Sequence, residues 1–156
     1  MKTYIGTKII EASPAIRKGG KVYDANELIP RSMEPVEEGY KVRYQDGYES
    51  FSPKDVFERA YLELTVNPEL RTKKPSISQK MVDDFIVAKE VSTLGDKVTV
   101  VRATLRNGFE LVESSACVSP ENYDEKIGAE ICMEKIKDKV WFLLGFLLQT
   151  GVNGLL

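Results

Sequence analysis

A run of polar side chains between residues 104 and 124, TLRNGFELVESSACVSPENYD, carries the strongest candidates for ligand recognition in this chain. Ser115 adds a second hydroxyl beside Ser114 near the end of a predicted strand, and Asn122 lies in the first turn of a predicted helix that starts at Pro120. The first N–H groups of a helix lack intrahelical acceptors and carry the positive end of the helix dipole, so they attract anions. Hydroxyls, an amide and a helix start in one place predict a site for a phosphate or a ribose.

Cationic and aromatic side chains on the neighbouring strand and turn extend this candidate site. Arg102 and Arg106 provide guanidinium groups, which bind phosphates through two parallel hydrogen bonds. Phe109, or Tyr123 in its place, offers a flat face on which a nucleotide base can stack. A small anionic ligand or a nucleotide is therefore one interpretation of this region.

The same residues also have ordinary structural interpretations. Ser119 is a typical helix N-cap, and Asn107-Gly108 is a typical tight-turn pair. Asn122 can satisfy the local backbone instead of a ligand, and the two arginines can pair with glutamates across a hairpin. The residues alone leave both interpretations open.

The side-chain inventory argues against several kinds of enzyme. The chain has no histidine, which excludes His-dependent catalytic triads and removes the commonest zinc ligand. Cys117 and Cys132 lie outside any Cys-x-x-Cys pair and are interpreted as buried thiols that act as small hydrophobic residues. No phosphate-binding loop, dinucleotide-binding motif or acidic metal loop is present in the sequence. We therefore predict a protein that is not an enzyme and needs no metal or cofactor.

Charge and hydrophobicity limit the possible partners. The formal net charge of −2 argues against binding to a nucleic acid polymer, which requires a clustered basic excess. No signal peptide is visible after Met1, and the longest apolar run, Val140–Leu148, is about half of the length that crosses a bilayer. The prediction is a cytosolic protein without membrane contact.

Local patterns divide the chain into three parts. Residues 1–64 predict a small β-hairpin-plus-helix unit, residues 65–75 a polar linker with two prolines, and residues 76–156 a domain for ligand binding and oligomerisation. The predicted fold class is α+β: a small N-terminal antiparallel β unit with a short helix, then a helix–β-hairpin–long helix domain.

Individual elements follow from turn and capping signals. In the first part these are a strand over Lys2–Glu11, a loop over 12–39, a hairpin of Tyr40–Tyr44 and Glu49–Phe51, and a helix capped by Ser52. In the last part they are a helix capped by Ser76 or Ser78 and ended by Gly95-Asp96, strands over Lys97–Leu105 and Phe109–Val118 joined by a type I′ turn at Asn107-Gly108, and a helix from Ser119 to about Gln149.

The long last helix changes character along its length. Its first half is amphipathic, whereas its second half, which includes Trp141 and Phe146, is apolar nearly all round. A helix that is apolar on every side is buried on every side. One hairpin and one short helix offer little cover, so we predict a homo-oligomer through the apolar end of this helix. A core formed within one chain is the alternative.

An ordered series of motifs in the second half of the chain resembles a phage-encoded family of small proteins. Members of that family read Leu-Lys-Asn-Gly-Phe, Ser-Ala-Cys-Val, Pro-x-Asn-Phe-Asp, Ile-Gly and Trp-x-x-x-Gly-Tyr in this order. The resemblance covers about residues 76–149, and one departure is Phe146 in place of the family tyrosine. The corresponding motifs are Leu105-x-Asn107-Gly108-Phe109, Ser115-Ala-Cys-Val118, Pro120-Glu-Asn-Tyr-Asp124, Ile127-Gly128 and Trp141-x-x-x-Gly145-Phe146.

This resemblance implies a function. The family is similar to the first Thoeris anti-defence family, whose members are oligomers that bind cyclic ADP-ribose isomers, and in some cases cyclic oligonucleotides, in pockets between subunits without degrading them. The N-terminal unit resembles a module that precedes small phage domains, some of which are similar to the second Thoeris anti-defence family. By this resemblance the chain is a phage protein that sequesters a small-molecule nucleotide signal in the host cytoplasm. Asn122 matches the family asparagine that follows the proline, and Lys139 falls where the family carries a basic residue just before the tryptophan. Lys139 lies roughly 25 Å along the helix from Asn122 at ~1.5 Å per residue, so the resemblance implies that it joins the same pocket only across a dimer.

The residue types and the family resemblance together predict a ligand site for a nucleotide signal. Two other functions compete with nucleotide sequestration. One rival is an inhibitor that binds a host protein through its acidic surface, and the other is an assembly accessory without a small-molecule ligand. The predicted ligand-binding residues are Arg102, Arg106, Phe109, Ser115, Asn122 and Lys139.

Overall fold

The computed structural model describes all residues from Met1 to Leu156 and divides them into two compact units. The first unit comprises Met1–Glu63 together with Thr150–Leu156, and the second comprises Leu64–Gln149. Each unit contains an antiparallel sheet and helical segments, so the predicted α+β class is confirmed.

The first unit is built on a four-stranded sheet. Its strands lie in the order β2-β1-β3-β4, and each neighbouring pair is antiparallel. The elements are β1 (Glu11–Lys18), β2 (Lys21–Asp24), β3 (Val36–Arg43), β4 (Glu49–Pro53) and the helix α1 (Lys54–Ala60).

Two predictions for the first unit are wrong. The sheet begins at Glu11 instead of Lys2, and residues 1–10 form no regular element. The predicted loop over 12–39 contains β1, β2 and the start of β3. The signal was Gly19-Gly20: both glycines have positive φ, +58° and +75°, and they join β1 to β2 in a two-residue turn. Such a type I′ turn needs positive φ at both positions, which glycine adopts without steric cost.

The predicted hairpin of β3 and β4 is confirmed, but the start of α1 is not as expected. Gly47 has φ +87° in the turn between these strands. The N-cap of α1 is Pro53, with no side-chain cap, so the prediction of Ser52 as the cap is wrong. Ser52 is still a strand residue at this point, because it pairs with Tyr40.

The core of the first unit is small and has a partly aromatic edge. Val42 and Ala15 are buried in the sheet. Helix α1 packs on β3, where the rings of Tyr40 and Phe57 stack with centroids 4.0 Å apart.

The second unit is built on a three-stranded sheet in the order β5-β6-β7. Its elements are the helix α2 (Gln79–Phe85), the strands β5 (Ile86–Leu94), β6 (Val98–Leu105) and β7 (Glu110–Ala116), a 3₁₀ turn (Pro120–Asn122) and the long helix α3 (Glu125–Asn153).

The predicted helix before the hairpin is half helix and half strand. Ser78 caps α2 as expected, since its hydroxyl accepts a hydrogen bond from the Met81 N–H. The helix ends at Phe85, however, and Ile86–Leu94 forms β5 instead of continuing to Gly95. Pairing along the whole of β6 outweighs the helical spacing of apolar residues in this segment.

The hairpin of β6 and β7 is confirmed, with a different turn type. Gly108 has φ +85°, but no residue other than glycine has positive φ, so Asn107-Gly108 cannot form a type I′ turn. The Gly108 N–H donates to the Leu105 carbonyl, and the Leu105 N–H donates to the Phe109 carbonyl. This pattern is a type I turn followed by a glycine bulge. The Asn107 side chain accepts a hydrogen bond from the Phe109 N–H and fixes the turn.

The long helix starts later and ends later than predicted. Residues Pro120–Asn122 form a single 3₁₀ turn, and α3 begins at Glu125. The Asp124 carboxylate accepts a hydrogen bond from the Ile127 N–H at 3.1 Å, so Asp124 serves as the cap that was assigned to Ser119. The helix continues to Asn153, and Gly154 follows it with φ +78°.

One face of the second sheet packs against α3. Thr99 contacts α3 at Gly128 and, through its carbonyl, at Cys132. Alternate residues of β6 share the face of Thr99, and all of them are buried: Thr99, Val101, Ala103 and Leu105. The buried residues of α3 recur at every fourth position and are Gly128, Cys132, Ile136, Val140 and Leu144.

Candidate functional site

The six predicted ligand-binding residues are spread over both faces and both ends of the second sheet. The register between β6 and β7 decides the faces, because directly paired residues point to the same side. Ser115 pairs with the buried Thr99 and shares the face that packs on α3, whereas Arg102 pairs with the exposed Val112 on the open face. Arg102 and Ser115 are therefore on opposite sides of the sheet.

Arg102 is held by two carboxylates. Its guanidinium lies 2.7 Å from a Glu90 carboxylate oxygen on β5 and 3.7 Å from a Glu110 oxygen on β7. Glu90 is its direct partner in the β5–β6 register. These acids neutralise the guanidinium and compete with any phosphate for it.

Lys139 is also engaged by an acid. Its ammonium contacts the Glu113 carboxylate on the face of β7 that packs on α3. Lys135, one helical turn earlier, donates to the Ser114 carbonyl at 2.9 Å. Together the two lysines fix β7 to α3, which gives Lys139 a structural role in the single chain.

The contact between Lys139 and Glu113 makes stability depend on pH. The hydrogen bond from Lys139 holds the pKa of the Glu113 carboxyl below its ordinary value of 4.5. The unfolded chain therefore binds more protons than the folded chain as the pH falls through this range, and the stabilisation present above pH 4.5 is progressively lost. We expect the variant Lys139→Met to show a weaker loss of stability on acidification than the unmodified chain, in urea titrations followed by Trp141 fluorescence.

A matched control tests this pH prediction. Lys126 lies on the same helix, is exposed and makes no ion pair. Lys126→Met removes the same charge without removing a partner of Glu113, so its pH dependence should follow that of the unmodified chain. Equal slopes for the two variants would show that the Lys139 contact does not perturb Glu113.

Arg106 and Phe109 both lie in the turn at the tip of the β6–β7 hairpin. Both are exposed, and Phe109 keeps 52% of its surface accessible. The backbone N–H of Arg106 donates to the Phe85 carbonyl, while its guanidinium has no hydrogen bond or ion pair. The tip thus carries an unpaired guanidinium and an exposed aromatic ring.

Asn122 lies in the 3₁₀ turn and has a free side chain, but the anion-binding helix start predicted around it is not formed. The N–H of Asn122 donates to the Ser119 carbonyl, and the N–H of Tyr123 donates to the Pro120 carbonyl. The true first turn of α3 is occupied by the Asp124 carboxylate. Backbone N–H groups near Asn122 are therefore not available for a phosphate, and only its exposed amide side chain remains.

A cluster of hydroxyl groups next to Asn122 was not predicted from the sequence. The Tyr123 hydroxyl lies 2.7 Å from the Thr93 hydroxyl and 3.0 Å from the Thr99 hydroxyl. Thr93 also donates to the Glu125 carboxylate. This cluster joins β5, β6, the 3₁₀ turn and α3, so it fixes the backbone that presents Asn122. In the sequence, only the tyrosine that follows Asn122 pointed to this hydroxyl cluster.

The candidate residues do not converge within one chain. Arg106 and Phe109 lie at one end of β6, whereas Asn122 follows the other end of β7 beside Thr99 and Tyr123. Eight strand residues at about 3.3 Å each separate these ends by roughly 25 Å. A single protomer therefore offers two small exposed clusters and no shared pocket for them.

No group of three or more acidic, cysteine or histidine side chains is arranged to hold a metal ion. None of the helices combines the length and the hydrophobicity that a membrane span requires.

The comparisons with known proteins concern the second unit. No curated protein and no solved structure matches the chain. Residues 77–152 match the phage protein (N4 Gp49/phage Sf6 gene 66) family. This region covers 76 of the 156 residues, just under half of the chain, and includes β5–β7 and nearly all of α3. The second unit is thus similar to a phage protein family, which supports the prediction of a phage-encoded small protein.

Proposed function

We propose that the protein is a phage-encoded binding protein that sequesters a nucleotide-type immune signal, a cyclic ADP-ribose isomer or a cyclic oligonucleotide, in the host cytoplasm without degrading it. The observation that carries the proposal is the set of three candidate side chains that the fold itself does not use. Arg106, Phe109 and Asn122 are exposed and make no side-chain hydrogen bond or ion pair. A guanidinium, an aromatic ring and an amide are the groups that recognise a phosphate, a base and a ribose.

The other three predicted residues have partners within the chain. Arg102 is paired with two acids, Lys139 with one, and Ser115 lies on the face that packs on α3. Ligand contact by any of these groups requires the loss of an existing interaction. Arg106, Phe109 and Asn122 are therefore the first choice for the site.

A second copy of the chain brings the two clusters together in this proposal. They lie roughly 25 Å apart in one protomer, so a pocket that uses both must combine the hairpin tip of one subunit with the 3₁₀ turn of another. The exposed apolar surface of α3 supports self-association, because Phe142 keeps 75% of its surface accessible. The expected assembly is a homo-oligomer with ligand sites between subunits.

The exposed surface of α3 also favours one rival. A large accessible aromatic side chain beside other apolar residues is typical of a protein–protein interface. If the protein inhibits a host protein, or is an assembly accessory, this surface of α3 is its binding surface and it needs no nucleotide. The host-protein inhibitor predicts tight association with a protein and none with cyclic nucleotides.

The residue assignment is tested by single substitutions in a calorimetric titration with the cyclic nucleotide that binds the unmodified protein. Arg106→Ala and Asn122→Ala should each weaken binding by at least ~10-fold, because each removes a hydrogen-bonding group from the ligand. Neither should change the melting temperature of the free protein, since neither side chain has a partner in the fold.

Arg102→Ala and Lys126→Ala are the matched controls for this titration. The first removes a guanidinium that is already paired, and the second removes an exposed, unpaired charge outside both clusters. A loss of affinity for Arg102→Ala, with none for Arg106→Ala, would move the site to the open face of the sheet.

A further inference from the structure

The segment before the first sheet has the sequence of a strand but no partner strand. Residues 2–8 read KTYIGTK, with β-forming side chains at Thr3, Tyr4, Ile5 and Thr7. The segment makes no backbone hydrogen bond, and Tyr4 and Ile5 keep 85% and 88% of their surface accessible. Its backbone groups and its apolar side chains both face solvent in the single chain.

The two edges of the first sheet differ in their ability to accept another strand. At the β2 edge, the Glu27 N–H donates to the Asp24 carbonyl and the Glu27 carboxylate accepts from the Asp24 N–H. The turn after β2 therefore uses the backbone groups of Asp24, the last residue of this four-residue strand. At the other edge, β4 has no such cover on its outward-facing backbone groups.

The outward-facing groups of β4 can be identified from the hairpin. The Tyr44 N–H donates to the Tyr48 carbonyl, and the next pairs are Arg43 with Glu49 and Val42 with Ser50. Hydrogen-bonded and non-hydrogen-bonded pairs alternate along an antiparallel ladder. The N–H and C=O groups of Glu49 and Phe51 therefore point away from β3 and are free to pair with a fifth strand.

We propose that the segment Thr3–Thr7 of one chain adds as a fifth strand to the edge of β4 in a second copy of the chain. Main-chain hydrogen bonds to Glu49 and Phe51 would provide the pairing, as in other cases of strand addition to an open edge. The segment does not pair with β4 of its own chain, although Lys8 lies over the Tyr44 ring, 4.3 Å from its centroid, at the end of the sheet where β4 begins.

Charge supports the same pairing. The segment carries Lys2 and Lys8 and no acid. The turn before β4 holds Asp46, which makes no ion pair, and β4 begins with Glu49, which lies 3.8 Å from the Lys41 ammonium and 3.9 Å from the Arg43 guanidinium. Opposite charges on neighbouring strands stabilise the pair, and the exposed Tyr4 and Ile5 gain cover from the partner sheet. This interface is independent of α3 and of any nucleotide.

The test is amide hydrogen exchange of the full chain carrying Phe142→Glu, which places a charge at the most exposed aromatic position of α3 and so suppresses association through that helix. At high protein concentration, the amides of Glu49 and Phe51 should exchange at least ~10-fold more slowly than at low concentration. The protection should vanish in a variant lacking residues 2–7 and in the full-length variant Ile5→Pro. It should persist in Leu28→Ser, which removes a different exposed apolar residue.

The amides of Ser50 and Ser52 serve as the internal control, because they pair with β3 and stay protected whenever the sheet is folded. Free exchange of Glu49 and Phe51 at every concentration overturns the proposal. Protection that does not change on dilution, or that survives removal of residues 2–7, also overturns it, since the fifth strand would then come from the same chain or from elsewhere.

Discussion

Gly128→Ala is expected to destabilise the second unit by about 1–3 kcal/mol, the usual cost of overpacking a core. A Cβ at this position would lie 2.0 Å from the Thr99 hydroxyl oxygen and 2.7 Å from the Thr99 Cβ. Thr99 is fully buried on the central strand β6, so it cannot turn away into solvent. The helix must move away from the sheet, which also loosens the Cys132 and Ile136 contacts that follow along α3.

The measurement is urea unfolding followed by the fluorescence of Trp141, the only tryptophan and a residue of α3. Gly145→Ala is the matched control on the same helix. Nothing lies within 4 Å of a Cβ at Gly145, so alanine should stabilise the helix by about 0.5–1 kcal/mol through its higher helix propensity. Changes of the same sign and size for both variants would contradict the close contact between Gly128 and Thr99.

Phe142→Glu is expected to abolish self-association through α3 while leaving the fold intact. Phe142 keeps 75% of its surface accessible in the single chain, so a glutamate there remains in water and costs the monomer little. In an interface the same glutamate would be buried without a partner, which typically costs more than 2 kcal/mol, about 30-fold in affinity. Sedimentation velocity over a range of protein concentrations measures the effect.

Ile127→Glu is the control for this experiment. It makes the same kind of change at an exposed apolar position of α3, but near the start of the helix, away from the apolar end. In chains that lack residues 2–7, and so cannot add the fifth strand at β4, assembly through α3 is expected to be normal for Ile127→Glu and lost for Phe142→Glu. Assembly that survives Phe142→Glu but fails in Ile127→Glu would place the interface at the other end of the helix.

Elements with strong local signals were predictable from the sequence. The hairpins around Gly47 and Gly108, the Ser78 cap and the long last helix form as expected because turn glycines and caps act over a few residues. Strand β5 was not predictable in this way. Its apolar spacing is helical, and only its pairing along the whole of β6, a long-range interaction, makes it a strand.

The candidate site was predictable in composition but not in geometry. The sequence left open a pairing of Arg102 with a glutamate across the hairpin, and Glu110 is such a partner. Its nearer partner, Glu90, was not predictable, because the segment that forms β5 has a helical pattern. The start of α3 shifted by a few residues because Asp124, and not Ser119, provides the cap. Asn122 therefore lies in a 3₁₀ turn and not in the first turn of an α-helix. The N–H groups of this 3₁₀ turn already donate to backbone carbonyls, so they do not form the expected anion-binding site.

Several motif residues that carry the family resemblance have structural roles in this fold. Asn107 and Gly108 form the hairpin turn, Asp124 caps α3, and Gly128 allows α3 to approach Thr99. Most of the motif series therefore determines the hairpin turn, the start of α3 and the packing of α3 on the sheet. Asn122 and Phe109 are motif residues whose side chains have no such role, and they are the most informative positions for function.

The measurement that tests the proposed function most directly is a thermal-shift panel of cyclic dinucleotides, cyclic trinucleotides and cyclic ADP-ribose isomers on the purified protein, with mass spectrometry of the ligand after heat release. Ligand at ~100 times its Kd should stabilise the protein by about 2.7 kcal/mol. Sequestration predicts a large shift for one of these compounds and its recovery with unchanged mass. The absence of a shift with every compound, or recovery of a cleaved product, would contradict sequestration.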